Sequence, residues 1–230
     1  MKLIYSLALA LILGQVAHSL TIKATIRDFL YSHPDFEGLA SYANGPGYVE
    51  TQLGADRKPV YKGNAPSITS FADWFNDVPG VNMKTTYDLE LIDPDGDGVY
   101  TYSNQAYFPI DNQLFGNENG AAHNFGFTTE VHTTFTYQLG QKFTCTGDDD
   151  IWVFINDQLV IDLGGPHGPL SRTVDLGTLG LTAGNTYTLD IFQAERQSPG
   201  STFAMETSLV LVTDPCPKRT AAKLALCRSL

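Results

Sequence analysis

The chain has 230 residues, and 25 Asp and Glu against 14 Lys and Arg give a formal net charge of −11. An acidic chain without a basic cluster is not built for nucleic acid or for an anionic membrane. Domains commonly run about 100–200 residues, so the length suits a single domain.

Lys2 supplies a positive start, Leu3 to Leu13 is an uncharged apolar run, and Ala17-His18-Ser19 places small residues where a signal peptidase reads them. Residues 1–19 are therefore expected to be a signal peptide, cleaved after Ser19. Their run is too short for a membrane span, which takes roughly 20 residues. No later segment is apolar enough to cross a bilayer, so the expectation is a secreted, extracellular protein without membrane insertion.

After the leader the dominant period is two, the period of half-buried strands. Ile22, Ala24 and Ile26 alternate first. Gly38–Ser67 is rich in Gly and Pro and reads as a long ordered loop. One short helix is expected after Ser70, which can cap it, with Phe71, Trp74 and Phe75 on one face and Val78-Pro79-Gly80 as its stop. Tyr87, Leu89 and Leu91 form the next alternating set. Asp93-Pro94-Asp95-Gly96-Asp97-Gly98 fits the first half of an EF-hand loop, but the twelfth position is Asn104 and no flanking helices are readable, so a hairpin turn is the better reading.

From Phe125 to Leu139 the alternation is long. Phe125, Phe127, Val131, Phe135, Tyr137 and Leu139 share the buried parity, whereas Glu130 and His132 fall on the parity expected to face solvent, with His123 nearby in sequence. Cys145 shares parity with Phe143 and reads as a buried apolar filler. Ile151 to Ile155 is wholly apolar and reads as a central strand covered on both faces. Asn156-Asp157 tolerate positive φ and should make a tight hairpin to Leu159–Leu163. Tyr187, Leu189 and Ile191, then Phe203, Met205, Leu209 and Leu211, complete the pattern. In the basic, Pro-containing tail, residues 214–230, Cys216 and Cys227 can close a small disulfide loop.

The feature with most chemical content is Asp148-Asp149-Asp150 at the mouth of the apolar strand. Adjacent anions repel, and more so as they leave water. Two readings stand side by side: the carboxylates cap backbone N–H groups at the strand end, or they hold a hard divalent cation such as Ca2+, which takes oxygen ligands. His167 sits in a Gly-Pro loop and can line a pocket. Glu195 and Arg196 read as an ion pair bracing a loop.

The run from Gly147 to Gly168, GDDDIWVFINDQLVIDLGGPHG, resembles the signature of fibro-slime domain proteins, members of the wider PA14 group. HPDFE at 33–37, WFNDVPGVN at 74–82, FPID at 108–111, the stretch from His123 to Tyr137, and AER at 194–196 are similar to further blocks of that family, in order. The resemblance covers about residues 22–213. It implies an all-β, PA14-like antiparallel sandwich or barrel with one short helix over residues 20–213, and roles at cell surfaces or in extracellular matrix. Related PA14 lectins bind sugars through Ca2+ held by two consecutive aspartates, which align with Asp148 and Asp149.

The function expected is a secreted recognition module, Ca2+-dependent and carbohydrate-binding, with an extracellular glycan or cell-surface glycoprotein as partner. Its ligand-binding residues are expected to be Asp148, Asp149, Asp150, His167, Glu195 and Arg196, the metal ligands Asp148 and Asp149. The alternatives are a secreted signalling or matrix protein with a protein partner, and, behind it, a glycan hydrolase. No nucleophile elbow, P-loop or HExxH appears, so an enzyme is not expected.

Overall fold

The computed structural model describes residues 17–36, 46–65, 68–117 and 120–212. The body of the expected leader and the pair Cys216 and Cys227 lie outside these residues.

Among the described residues ten strands form one antiparallel sheet: β1 (His18–Phe29), β2 (Asn82–Asp93), β3 (Tyr100–Asn104), β4 (Phe127–Thr136), β5 (Lys142–Gly147), β6 (Asp150–Ile155), β7 (Gln158–Leu163), β8 (Leu170–Asp175), β9 (Thr186–Glu195) and β10 (Phe203–Thr207). Their order across the sheet is β7-β6-β9-β4-β1-β2-β3-β10-β5-β8. β5 and β6 thus sit near opposite edges, yet only Asp148 and Asp149 join them. Two residues reach no more than about 7 Å beyond a strand end, so the sheet must curl until its two edges come together. The result is nearly a barrel. β1 starts at His18, opposite Asp93, so cleavage after Ser19 would trim two residues from its beginning.

Strand alternation sorts the side chains into two cores. The inward set fills the curl with Ile22, Ala24 and Ile26, Leu89 and Leu91, Val131 and Phe135, Ile151, Val153 and Ile155, Leu189 and Ile191, and Phe203 and Met205. Trp152 and Phe154 of β6, Phe192 and Ala194 of β9 and Phe29 of β1 point outward and carry a second cluster. There they meet Phe36, Phe71, Trp74 and Phe75. That second core explains why β6 is buried at every position.

The Asn156-Asp157 hairpin forms as expected, with φ of 53° and 63° and Ile155 opposite Gln158. Two positive φ values match the twist of the flanking strands. The acidic stretch after β2 is likewise a turn: buried Asp93 accepts N–H bonds from Gly96, Asp97 and Gly98.

Three expectations need correction. The helix, α1 (Phe71–Trp74), is a single turn and Ser70 does not cap it. The Ser70 hydroxyl instead donates to Asp35 at 2.8 Å, a carboxylate that also takes N–H bonds from Thr69, Ser70 and the Trp74 indole. Leu139 is 83% exposed because β4 ends at Thr136 and the chain turns there. Glu130, expected toward solvent, is 3% exposed, because the loop carrying Lys58 folds over its face.

His33, Asp35 and Ser70 bring together the residue types of a hydrolytic triad without its wiring. The Ser70 hydroxyl donates to Asp35 and lies 3.3 Å from His33 Nε2. His33 Nδ1 accepts the Asp35 backbone N–H, so the ring proton is on Nε2 and is given to Ser70. An imidazole that donates to the hydroxyl cannot take its proton.

Cys145 is a free, buried thiol, and burial pushes it up to about 12. It should resist alkylation in the native protein and label only on unfolding. Timed iodoacetamide labelling with intact-mass readout checks this, and rapid native labelling would contradict it.

Candidate functional site

The end of the curled sheet where β5 passes into β6 is built by backbone demands. Gly147 is the last residue of β5 and faces Phe203. A Cβ there would stand 2.4 Å from the Thr202 carbonyl oxygen, so any larger residue would force the backbones apart. The next two residues, joined by a cis peptide, carry the carboxylates across to β6. Asp148 Oδ1 accepts the Thr202 N–H at 2.5 Å, and Asp149 Oδ2 accepts the Arg196 N–H at 2.9 Å. The capping reading therefore holds for one oxygen of each side chain. The other oxygen of each lies outside these contacts.

Asp148 and Asp149 line a pocket of about 420 Å3, together with the loops 166–169 and 197–200. His167 is one of its walls. Its ring is pinned by the carbonyls of Leu163 at 2.9 Å and Gly168 at 2.8 Å, which fixes the shape of the first loop.

The other expected site residues stand behind the pocket. Asp150 and Arg196 form an ion pair, Nε to Oδ2 2.6 Å, with both side chains buried. Asp150 also accepts the Gly165 N–H at 2.5 Å, and the guanidinium lies 4.9 Å from the Trp74 ring centre. The partner of Arg196 is thus Asp150 rather than Glu195. Glu195 faces the interior beside Ser201 and the Gln197 backbone, whose contacts act against the rise in pKa that burial causes, although among the described residues neither of its oxygens makes a well-formed hydrogen bond.

The electrostatics follow from this arrangement. Burial raises Asp149 to about 7, reinforced by the charge of Asp150 and opposed by the Arg196 contacts. Burial also raises Asp148. Glu195 is raised well above its ordinary range, by burial first and then by Asp149. Three carboxyl groups converge around Arg196, which is already paired with Asp150, and the His167 ring beside Asp148 is the further source of positive charge.

Sequence reasoning missed the second loop and the interior brace. Gln197-Ser198-Pro199-Gly200 carries a turn signal directly after AER, which is the cue that was available. The brace is a polar chain through the core: Tyr107 meets Thr129 at 3.1 Å, Thr129 donates to Gln193 at 2.9 Å, and Gln193 donates to the Asp148 carbonyl at 3.2 Å. It ties the acidic turn to β4 and β9.

Residues 127–218 match the family model for the PA14 domain, a span that begins with β4 and includes both carboxylates and both pocket loops. The chain carries a PA14 domain. Among curated relatives, Protein psiR of Dictyostelium discoideum is 40% identical over 221 residues, an alignment covering 87% of this chain and 22% of psiR. Protein psiD of the same organism is 41% identical over 211 residues, 83% of this chain and 42% of psiD. The chain thus spans less than half the length of either relative. Among solved structures, a PA14 sugar-binding domain from an RTX adhesin aligns with 82% of this chain and 90% of its own length, at 10% identity and a TM-score of 0.37. In this chain the acidic pair Asp148 and Asp149 lies in the wall of the pocket.

Proposed function

We propose that this PA14 domain is an extracellular recognition module that binds carbohydrate through a Ca2+ ion held by Asp148 and Asp149. One observation carries the reading: two adjacent, largely buried carboxylates line an open pocket and are short of counter-charge. The donor set suits calcium, which takes six to eight oxygen ligands, including carboxylates and backbone carbonyls. Asp148 and Asp149 would hold the ion. Bound calcium supplies coordination positions that sugar hydroxyl oxygens can fill.

The chain's own residues supply the rest. Thr202 and Arg196 N–H groups orient the two carboxylates, Gln193 fixes the Asp148 carbonyl, and the loops 166–169 and 197–200 shape the pocket around a ligand. The reading is binding without turnover, since Asp150 is committed to Arg196 and does not line the pocket. Export in this reading rests on the signal peptide expected over residues 1–19.

The test is a glycan array probed in calcium and in chelator, with wild type and with Asp148→Asn/Asp149→Asn. The expected result is wild-type binding in calcium alone and none by the variant. Binding to a cell-surface protein that survives both chelator and sugar competition would replace this reading with that of a protein-binding signal or matrix component. Release of sugar from a bound glycan would replace it with a hydrolase.

A further inference from the structure

Remote from the pocket, the outward face of β4 and β9 holds a cluster that the binding reading does not use. Glu130 and His132 of β4 and Asp190 of β9 stand together. The fold lays Arg57 and Lys58 over them from the loop around residues 50–62, and Arg27 of β1 closes the side. His132 Nε2 is 2.5 Å from Glu130 Oε1, and His132 Nδ1 is 2.5 Å from Asp190 Oδ1. Lys58 bonds the same Glu130 oxygen, Arg27 bonds the other at 2.5 Å, and Arg57 bonds the same Asp190 oxygen. Arg27 shares its charge with Asp77, which also pairs with Lys84. The edge of the imidazole rests on Phe192, ring centres 5.6 Å apart.

The geometry fixes the protonation state. A carboxylate only accepts, and a neutral imidazole donates from one nitrogen alone. A ring with a carboxylate on each nitrogen must donate from both, so it is an imidazolium. Asp190 is fully buried, and its Oδ2 already lacks a partner. Removing the proton from His132 leaves Asp190 with Arg57 as its sole cation and places a lone pair against one carboxylate. Lifting the loop and admitting water relieves both penalties.

We propose that His132 is the pin of a pH-sensitive latch, which holds the loop bearing Arg57 and Lys58 closed on the sheet while the imidazole is protonated and releases it when the proton is lost. The loop is itself tightly formed: Gly54 N–H bonds the Lys58 carbonyl and Arg57 N–H the Gly54 carbonyl. Its base is bonded to the β6–β7 hairpin, Leu53 N–H to the Asp157 carbonyl and Leu159 N–H to the Thr51 carbonyl, so the part that lifts is the tip around Arg57 and Lys58. The chain just before it reaches the end of β7, where the Gly47 N–H bonds Asp162 beside the loop that follows.

The sign follows from the charges. Burial lowers the pKa of His132, but the bonds to Asp190 and Glu130 outweigh it and hold the ring above its ordinary 6.5. A raised folded value means that the stabilisation is complete below 6.5 and is lost as pH rises through the folded value. Glu130 is held down to about 2, burial being outweighed by its bonds to His132 and Lys58, so its contribution is complete above the ordinary 4.5 and is lost as pH falls from there through about 2.

Amide hydrogen exchange of residues 50–62 between pH 5 and 9, corrected for intrinsic rates, tests the latch. Wild-type protection should fall at least tenfold as pH rises beyond neutral, with the midpoint of the His132 ring titration seen by NMR. In His132→Gln protection should be low and flat across the range, while β6 and β9 amides stay protected. Flat wild-type protection overturns the proposal, as does a pH dependence that survives in His132→Gln. Should that variant fail to fold, a wild-type loop transition displaced from the His132 midpoint overturns it equally.

Discussion

Calcium at a hundredfold excess over its Kd is expected to stabilise the wild-type protein by about 2.7 kcal/mol, which for a domain of this size raises Tm by roughly 5–10 °C. Asp148→Asn/Asp149→Asn should abolish that gain. The same variant, without calcium, should be no less stable than wild type and should tend to be more so. Burial disfavours the charged form of both side chains, and an amide removes that penalty while its oxygen still accepts the Thr202 and Arg196 N–H groups. The two signs together distinguish a site that gives up stability for its ligand from an ordinary acidic turn. Melting curves in calcium and in chelator decide it. An unchanged wild-type Tm at millimolar calcium removes the metal from the function. A calcium gain that persists in the variant moves the ion elsewhere, with Asp93, Asp95 and Asp97 as the next acidic group, their oxygens within 4.8 Å of one another.

How far the sequence could be read depends on how local each cause is. The Asn156-Asp157 hairpin was legible because two residues set it. The inward faces of β1, β4 and β9 were legible because burial on one side imposes a period of two. β3 and β8 left no such signal. Leu170–Asp175 is an edge strand exposed at all but Val174, so nothing apolar marks its alternation. The burial of Glu130 was hidden because its cover, Lys58, lies 72 positions away.

The supporting role of Asp150 was readable in part. It shares parity with Trp152 and Phe154, and Arg196 shares parity with Phe192 and Ala194. Both sets face the second core, so alternation alone places the aspartate and the arginine on the same side of neighbouring strands. The same count puts Glu195 with Gln193, facing inward. The acidic triplet is therefore two structural units, a pair at the pocket and one member of an ion pair. What alternation could not supply is the curl that brings β5 beside β6, because that closure is a property of the whole sheet.

Arg196→Ala should be among the most damaging single changes in this domain, costing about 3–5 kcal/mol. The side chain is 2% exposed and that of its partner Asp150 is fully buried, so truncation strands a carboxylate away from water with, among the described residues, the Gly165 N–H to answer it. It also removes the guanidinium from the Trp74 face and its 3.4 Å contact with the Asp35 carbonyl. The charge-neutral double change Asp150→Asn/Arg196→Gln should cost clearly less than the two single changes added together, because each single change leaves a buried charge that the pair does not. Urea unfolding of the four proteins measures the coupling. A loss below about 1 kcal/mol for Arg196→Ala would mean that water reaches Asp150 and that the second core does not seal the pair. The effect extends to the pocket, because the Arg196 charge favours the ionised form of Asp149, the form that binds a cation. Calcium affinity should therefore fall in Arg196→Ala even under conditions where the variant remains folded, through a residue that does not line the pocket.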